Sequence, residues 1–159
     1  MASSIKNLSE YSSLNVDLSD KTVAIVVSDY YTEITGSLYT AAVETLLKEG
    51  IPENQIIQKL APGTFELSLA AQFMASQDHV DAVICIGCVI QGETKHFDFI
   101  CDAVAKGITE VSLKFNKPVI FGVLTPNTMQ QAKDRAGGKH GNKGIEAAVA
   151  AIRMLSFNN

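Results

Sequence analysis

The sequence predicts an α/β fold, a three-layer αβα sandwich in which a four-stranded parallel sheet carries helices on both faces. Two observations predict it. Four short apolar runs rich in β-branched residues alternate with segments whose apolar residues recur at helical spacing. The stretches between successive runs are too long for hairpins, so the strands return through crossover helices and lie parallel. A chain of 159 residues, 47% of them hydrophobic, is of one-domain size and has the material for a substantial core.

The first strand is expected over residues 21–28 (KTVAIVVS), a continuous β-branched run of the kind buried on both faces. A helix follows, with Ile34, Leu38, Ala41, Ala42, Thr45 and Leu46 on one stripe and Gly50 closing it. Residues 55–61 (QIIQKLA) read as a more amphipathic second strand ended by Pro62 and Gly63, and residues 64–76 as a helix with Thr64 as its N-cap. A third strand over 80–87 (VDAVICIG) leads through a polar loop into a long helix from about 97 to 115, its stripe formed by Ile100, Val104, Ile108 and Val111. The run PVIFGVLT from Pro118 makes the fourth strand, and Asn127 or Thr128 caps a short helix to about Arg135. AGGKHGNKG then breaks the pattern before a last helix with Ile145, Ala148, Val149, Ile152 and Leu155 on one face.

Composition removes several classes of function. The longest apolar run, residues 82–90, is far short of the roughly 18 to 20 residues needed to span a bilayer. A net charge of -4, no basic run and no Trp leave no electrostatic footprint for nucleic acid. The N-terminus lacks an apolar stretch and carries Glu10, Asp17 and Asp20, which argues against a secretory or transit signal, so a soluble cytoplasmic protein is expected. Three cysteines, Cys85, Cys88 and Cys101, do not make a disulfide framework.

In open α/β sheets ligands bind beyond the carboxyl ends of the strands, which directs attention to residues 28–32, 61–66, 88–96 and 125–127. Cys85 and Cys88 have CxxC spacing, but residues three apart on an extended strand face opposite sides. They read as small buried hydrophobes rather than as a metal or redox pair, and no metal-ligand set converges. His96 lies in the polar stretch QGETKH where a helix begins. It suits proton transfer near neutral pH, or else it is a solvent-exposed or capping histidine. Backbone amides before that helix can also receive an anion. Residues 131–144 hold four Lys or Arg against one acid, a local net of +3, while the rest of the chain sums to -7. Such a loop grips a small anion, with Arg135 able to bind phosphate bidentately, or it is a solvated loop or subunit contact. Tyr30 and Tyr31 close the first strand and offer an aromatic face for a planar heterocycle. Phe65 reads as stacking surface or core, and Glu66 as ligand or first-turn acid.

Four motifs in this order, PGTFE at 62–66, GCVIQGETKHFD at 87–98, PVIFG at 118–122 and DRAGGKHGNKG at 134–144, resemble the 6,7-dimethyl-8-ribityllumazine synthase family, and the resemblance covers residues 21–155. It implies a flavodoxin-like fold and a condensation of 5-amino-6-(D-ribitylamino)uracil with 3,4-dihydroxy-2-butanone 4-phosphate that needs neither metal nor organic cofactor. It also implies roles. Tyr30 stacks on the pyrimidine; Thr64, Phe65 and Glu66 hold the ribityl chain; Cys88, Val89 and Ile90 line the ring site through backbone contacts. Glu93 and Thr94 meet the butanone phosphate, His96 transfers protons, Arg135 anchors phosphate, and Phe121 serves the site of a neighbouring subunit. The resemblance further implies a homopentamer in which residues 1–20 contact the neighbour, a strand near 13–18 joining its sheet, while 21–159 form the single domain. The short glycine loop at 137–144 points to twelve pentamers assembled as an icosahedral shell. A noncatalytic flavin or lumazine carrier on the same scaffold is the competing expectation.

Overall fold

A computed structural model describes residues 7–158. The central sheet is built from β1 (Val23–Ser28), β2 (Ile56–Ala61), β3 (Ala82–Cys88) and β4 (Val119–Leu124), in the order β2-β1-β3-β4 with every pair parallel. The crossovers are α1 (Thr32–Lys48), α2 (Leu67–Ala75) and α3 (His96–Phe115); α4 (Met129–Asp134) and α5 (Lys143–Leu155) follow the last strand. The fold expected from the alternating pattern is therefore the fold found.

Burial follows from position in the sheet. β1 and β3 are central and buried at every residue, which is why their sequences are continuous apolar runs. β2 is an edge strand, and Gln58, Lys59 and Leu60 are exposed. Two cores result, one on each face. Val23, Ile25, Val27, Ile84 and Ile86 meet α1 and α5 on one side, while Ala24, Val26, Val83, Cys85 and Val123 meet α2 and α3 on the other. Cys85 and Cys88 fall in opposite cores, as the strand geometry requires.

α1 and α5 approach very closely: a Cβ built at Gly144 would overlap the Leu38 carbonyl, so only glycine lets the start of α5 seat against α1. α4 is capped as the sequence suggests, Thr128 Oγ1 accepting the Gln131 N–H at 3.2 Å. Gly50, at φ +99°, follows the C-cap of α1.

Two local expectations are corrected. The helix expected from residue 64 begins at Leu67, and Thr64 does not cap it; its buried hydroxyl instead points across to the Cys88 carbonyl, 3.4 Å away. The Gly-rich stretch expected only to break the pattern forms a small antiparallel hairpin, β5 (Ala136–Gly138) with β6 (Gly141–Asn142). Residues 13–18 are not in a strand within this chain; Leu18 is buried, and Leu14 and Val16 pack on the α1–α5 core. The Glu49 carboxylate fastens this segment, accepting the Tyr11 hydroxyl at 3.1 Å and the Leu14 N–H at 3.0 Å. Residues 1–6, the start of the expected neighbour-contacting segment, lie outside the described residues.

Candidate functional site

Two hollows flank the carboxyl ends of the strands. The first, of about 300 Å³, is lined by Tyr30 and Tyr31 after β1, Gly63 to Glu66 after β2, Cys88 to Ile90 after β3, and His96 with Ile100 on α3. The ladder itself holds this floor in place. Asp29 N–H donates to the Ala61 carbonyl (2.8 Å), Val89 N–H to Leu124 (2.9 Å) and Gln91 N–H to Pro126 (3.0 Å), so the sheet continues pairing past its nominal ends. The two tyrosines divide sharply. Tyr31, with φ +55° at the N-cap of α1, leans on the core, and burial, then the neighbouring Tyr30 and Cys88, push its phenol pKa up. Tyr30 is 60% exposed and lies T-shaped to Tyr31 with ring centres 4.7 Å apart.

Phe65, Glu66 and His96 are exposed at the rim. His96 is the first residue of α3, and its backbone N–H donates to Thr94 Oγ1 at 3.3 Å. Glu93 and Thr94 sit in the exposed loop before that helix and do not line the hollow. The Cys88 thiol is pushed up to about 11, by burial first and Cys101 second; burial alone raises Cys85 further, and burial with Asp98 raises Cys101. All three are protonated thiols near neutral pH, poor as nucleophiles or metal ligands. Among the described residues no group of three or more His, Cys, Asp or Glu side chains is placed to hold a metal ion, and no helix is long and apolar enough to cross a membrane.

The second hollow is larger, about 630 Å³, and cationic. Phe121, Val123 and Leu124 of β4 form one wall, and Arg135, Lys139, His140 and Lys143 surround it. Arg135 is held rigidly: its Nη1 and Nη2 reach the two Glu146 carboxylate oxygens at 2.7 and 3.2 Å, and Nη1 also donates to the His140 carbonyl at 3.2 Å. Lys143 shares Glu146 at 3.4 Å, and Lys139 lies 3.6 Å from Asp134.

The site residues expected from the sequence thus fall into two groups. Tyr30, Thr64, Phe65, Glu66, Cys88, Val89, Ile90 and His96 come together around the first hollow, whereas Phe121 and Arg135 line the second. Lys139, His140 and Lys143 join Arg135, and the +3 charge of that loop is their signal in the sequence. Glu146, the partner of Arg135, is visible only as an acid in the first turn of α5.

The family model described as 6,7-dimethyl-8-ribityllumazine synthase matches residues 20–159. The chain is 64% identical over 156 residues to 6,7-dimethyl-8-ribityllumazine synthase of Cytophaga hutchinsonii, covering 98% of each chain. It is 50% identical to the protein of that name from Porphyromonas gingivalis, covering 99% of this chain and 98% of the other. It is 48% identical to that from Parabacteroides distasonis, covering 99% of each.

Proposed function

The chain belongs to the 6,7-dimethyl-8-ribityllumazine synthase family, and from that premise we propose how its residues divide the reaction. It is a transferase of riboflavin biosynthesis that condenses 5-amino-6-(D-ribitylamino)uracil with 3,4-dihydroxy-2-butanone 4-phosphate, giving 6,7-dimethyl-8-ribityllumazine, phosphate and water. The observation that carries the assignment of residues is the pair of hollows, one aromatic and backbone-lined, the other cationic.

The pyrimidine stacks on the exposed ring of Tyr30 and meets the backbone beyond β3 at Cys88, Val89 and Ile90. The ribityl chain runs along Thr64, Phe65 and Glu66. The substrate amine attacks the ketone to form an imine with loss of water, phosphate leaves from the four-carbon unit, and ring closure expels a second water. Each step moves a proton, and His96 at the rim is the residue placed to carry it. Holding two soluble substrates in register supplies a larger share of the acceleration than the proton carrier does. The phosphate sits between the Glu93–Thr94 loop and Arg135.

A phosphate that touches both loops must bridge the two hollows. Our reading is that a neighbouring subunit provides the second one, contributing Phe121 and Arg135 to this chain's first. Three features support assembly. The outer edge of β2 has no strand partner among the described residues, so a neighbour's segment near 13–18 can pair there. Leu69 and Phe73 on α2 and Phe99 and Leu113 on α3 are exposed apolar side chains of the kind that interfaces cover. A pentamer, further assembled into an icosahedral shell, fits the short glycine loop.

Mixing the purified protein with both substrates tests the whole assignment: lumazine fluorescence should appear together with released phosphate. Binding of the pyrimidine with no turnover would instead identify a carrier.

A further inference from the structure

The cation loop is short and glycine-rich, and α1 supplies one tie: Ser37 Oγ donates to the Ala136 carbonyl at 2.7 Å and accepts from Asn142 Nδ2 at 3.3 Å. The β5–β6 hairpin has only three residues on one strand and two on the other, with Gly137 and Gly141 at φ +103° and +86°. Isolated hairpins are marginal, and glycine-rich backbone is entropically costly to order. A second tie comes from the N-terminal end of the sequence. Ser9, only 8% exposed, accepts the Asn142 N–H at 2.5 Å through its hydroxyl oxygen and donates to the Asn142 carbonyl at 2.9 Å. Asn142 in turn caps α5, its side-chain oxygen accepting the Gly144 N–H at 2.8 Å. Leu8 N–H donates at 3.2 Å to the His140 carbonyl, the same oxygen that receives Arg135 Nη1. The approach is so close that any Cβ at Gly141 would overlap the Asn7 carboxamide and the Ser9 hydroxyl.

We infer that residues 7–9 are a strap that sets the phosphate end of the site, with Ser9 as its positioning residue. Ser9 does not reach the hollow; it acts by holding the hairpin, so that the His140 carbonyl, and with it Arg135, keeps its place relative to Lys139 and Lys143. The inference rests on the reading of Arg135 as phosphate anchor.

The test is steady-state kinetics of the full chain with each substrate varied in turn, together with inhibition by inorganic phosphate. Ser9→Ala should raise the KM for the butanone phosphate and the Ki of inorganic phosphate about three- to tenfold, as expected for losing a hydrogen-bonded pair worth about 1 kcal/mol. kcat and the KM for the pyrimidine should stay within about twofold. Ser9→Thr, which keeps the hydroxyl, should restore the phosphate KM. A purely structural role would lower active enzyme and leave both KM values alone, and that result, or an equal rise in both, overturns the inference. Should Ser9→Ala fail to fold, Leu8→Pro removes the N–H given to the His140 carbonyl and is read by the same KM contrast. Arg135→Ala measured alongside keeps two failures apart. No rise there overturns the anchor and this inference with it; a rise there with none in Ser9→Ala overturns this inference alone.

Discussion

In the proposed division of roles His96 carries protons and Arg135 anchors phosphate, and their variants should separate the two. His96→Ala is expected to lower kcat on the order of 10²-fold while leaving measurable turnover, because orientation of the two substrates survives its loss. Arg135→Ala should chiefly raise the KM for the phosphorylated substrate; a kcat loss with unchanged KM would sink the anchor assignment. The thiols offer a third check. Burial holds the Cys88 thiol up at about 11 against an ordinary value of 9.0, so its neutral form favours the folded chain. The unfolded chain ionises first, and this contribution is full below about pH 9 and is lost as pH rises toward 11. Denaturant midpoints taken across that window should fall less for Cys88→Ala than for the parent chain. At this scale position is legible in the sequence, as for His96 at the start of α3 beside the first hollow. The sequence is read poorly where a side chain's role depends on what stands opposite: nothing local to Thr64 announces that its hydroxyl faces the Cys88 carbonyl, and nothing near Arg135 names Glu146 eleven residues on as its partner.

Helices and strands were legible because burial imposes period. The central strands β1 and β3 are buried at every residue and show as unbroken apolar runs, and the stripe on α3 is Val104, Ile108 and Val111 as found in the core. The two misses, the start of α2 and the β5–β6 hairpin, are short stretches fixed by contacts from distant segments rather than by their own pattern. Gly144 tests how tightly one such contact binds elements together. Gly144→Ala places a methyl group on the Leu38 carbonyl, which α5 can escape only by backing away from α1. A destabilisation of about 2 kcal/mol or more is expected, seen as a lowered denaturant midpoint with little change in m. An unchanged midpoint would mean that the α1–α5 seam yields more readily than a close-packed contact should.

At the scale of the whole molecule, the distribution of charge is more telling than its sum: a +3 loop lines the cationic hollow on a chain that is otherwise -7. The separation of the two hollows makes a further prediction. If sites are completed across subunits, His96→Ala and Arg135→Ala chains unfolded together and reassembled as mixed oligomers should regain about one quarter of the sites, as random neighbours supply one intact half each. Mixtures no more active than the separate variants would place both residues in the site of a single chain. Light scattering of the purified protein distinguishes the shell from a lone pentamer, and a pentamer alone refutes the shell. None of this is legible in hydrophobic period, which reports what one chain buries and is silent about what several chains share.

On the proposed assembly, the edge of β2 has a consequence for the chain before a neighbour covers it. Its outward row of N–H and C=O groups is a template for any extended segment, not only the proper one, and Leu60 beside it is 64% exposed. Lys59 is the one charged side chain on that strand, and a charge there is the kind of feature that discourages edge-to-edge stacking. The same edge therefore poses a race during biogenesis: association in the right register conceals it, and delay leaves a sticky strand guarded by a single lysine.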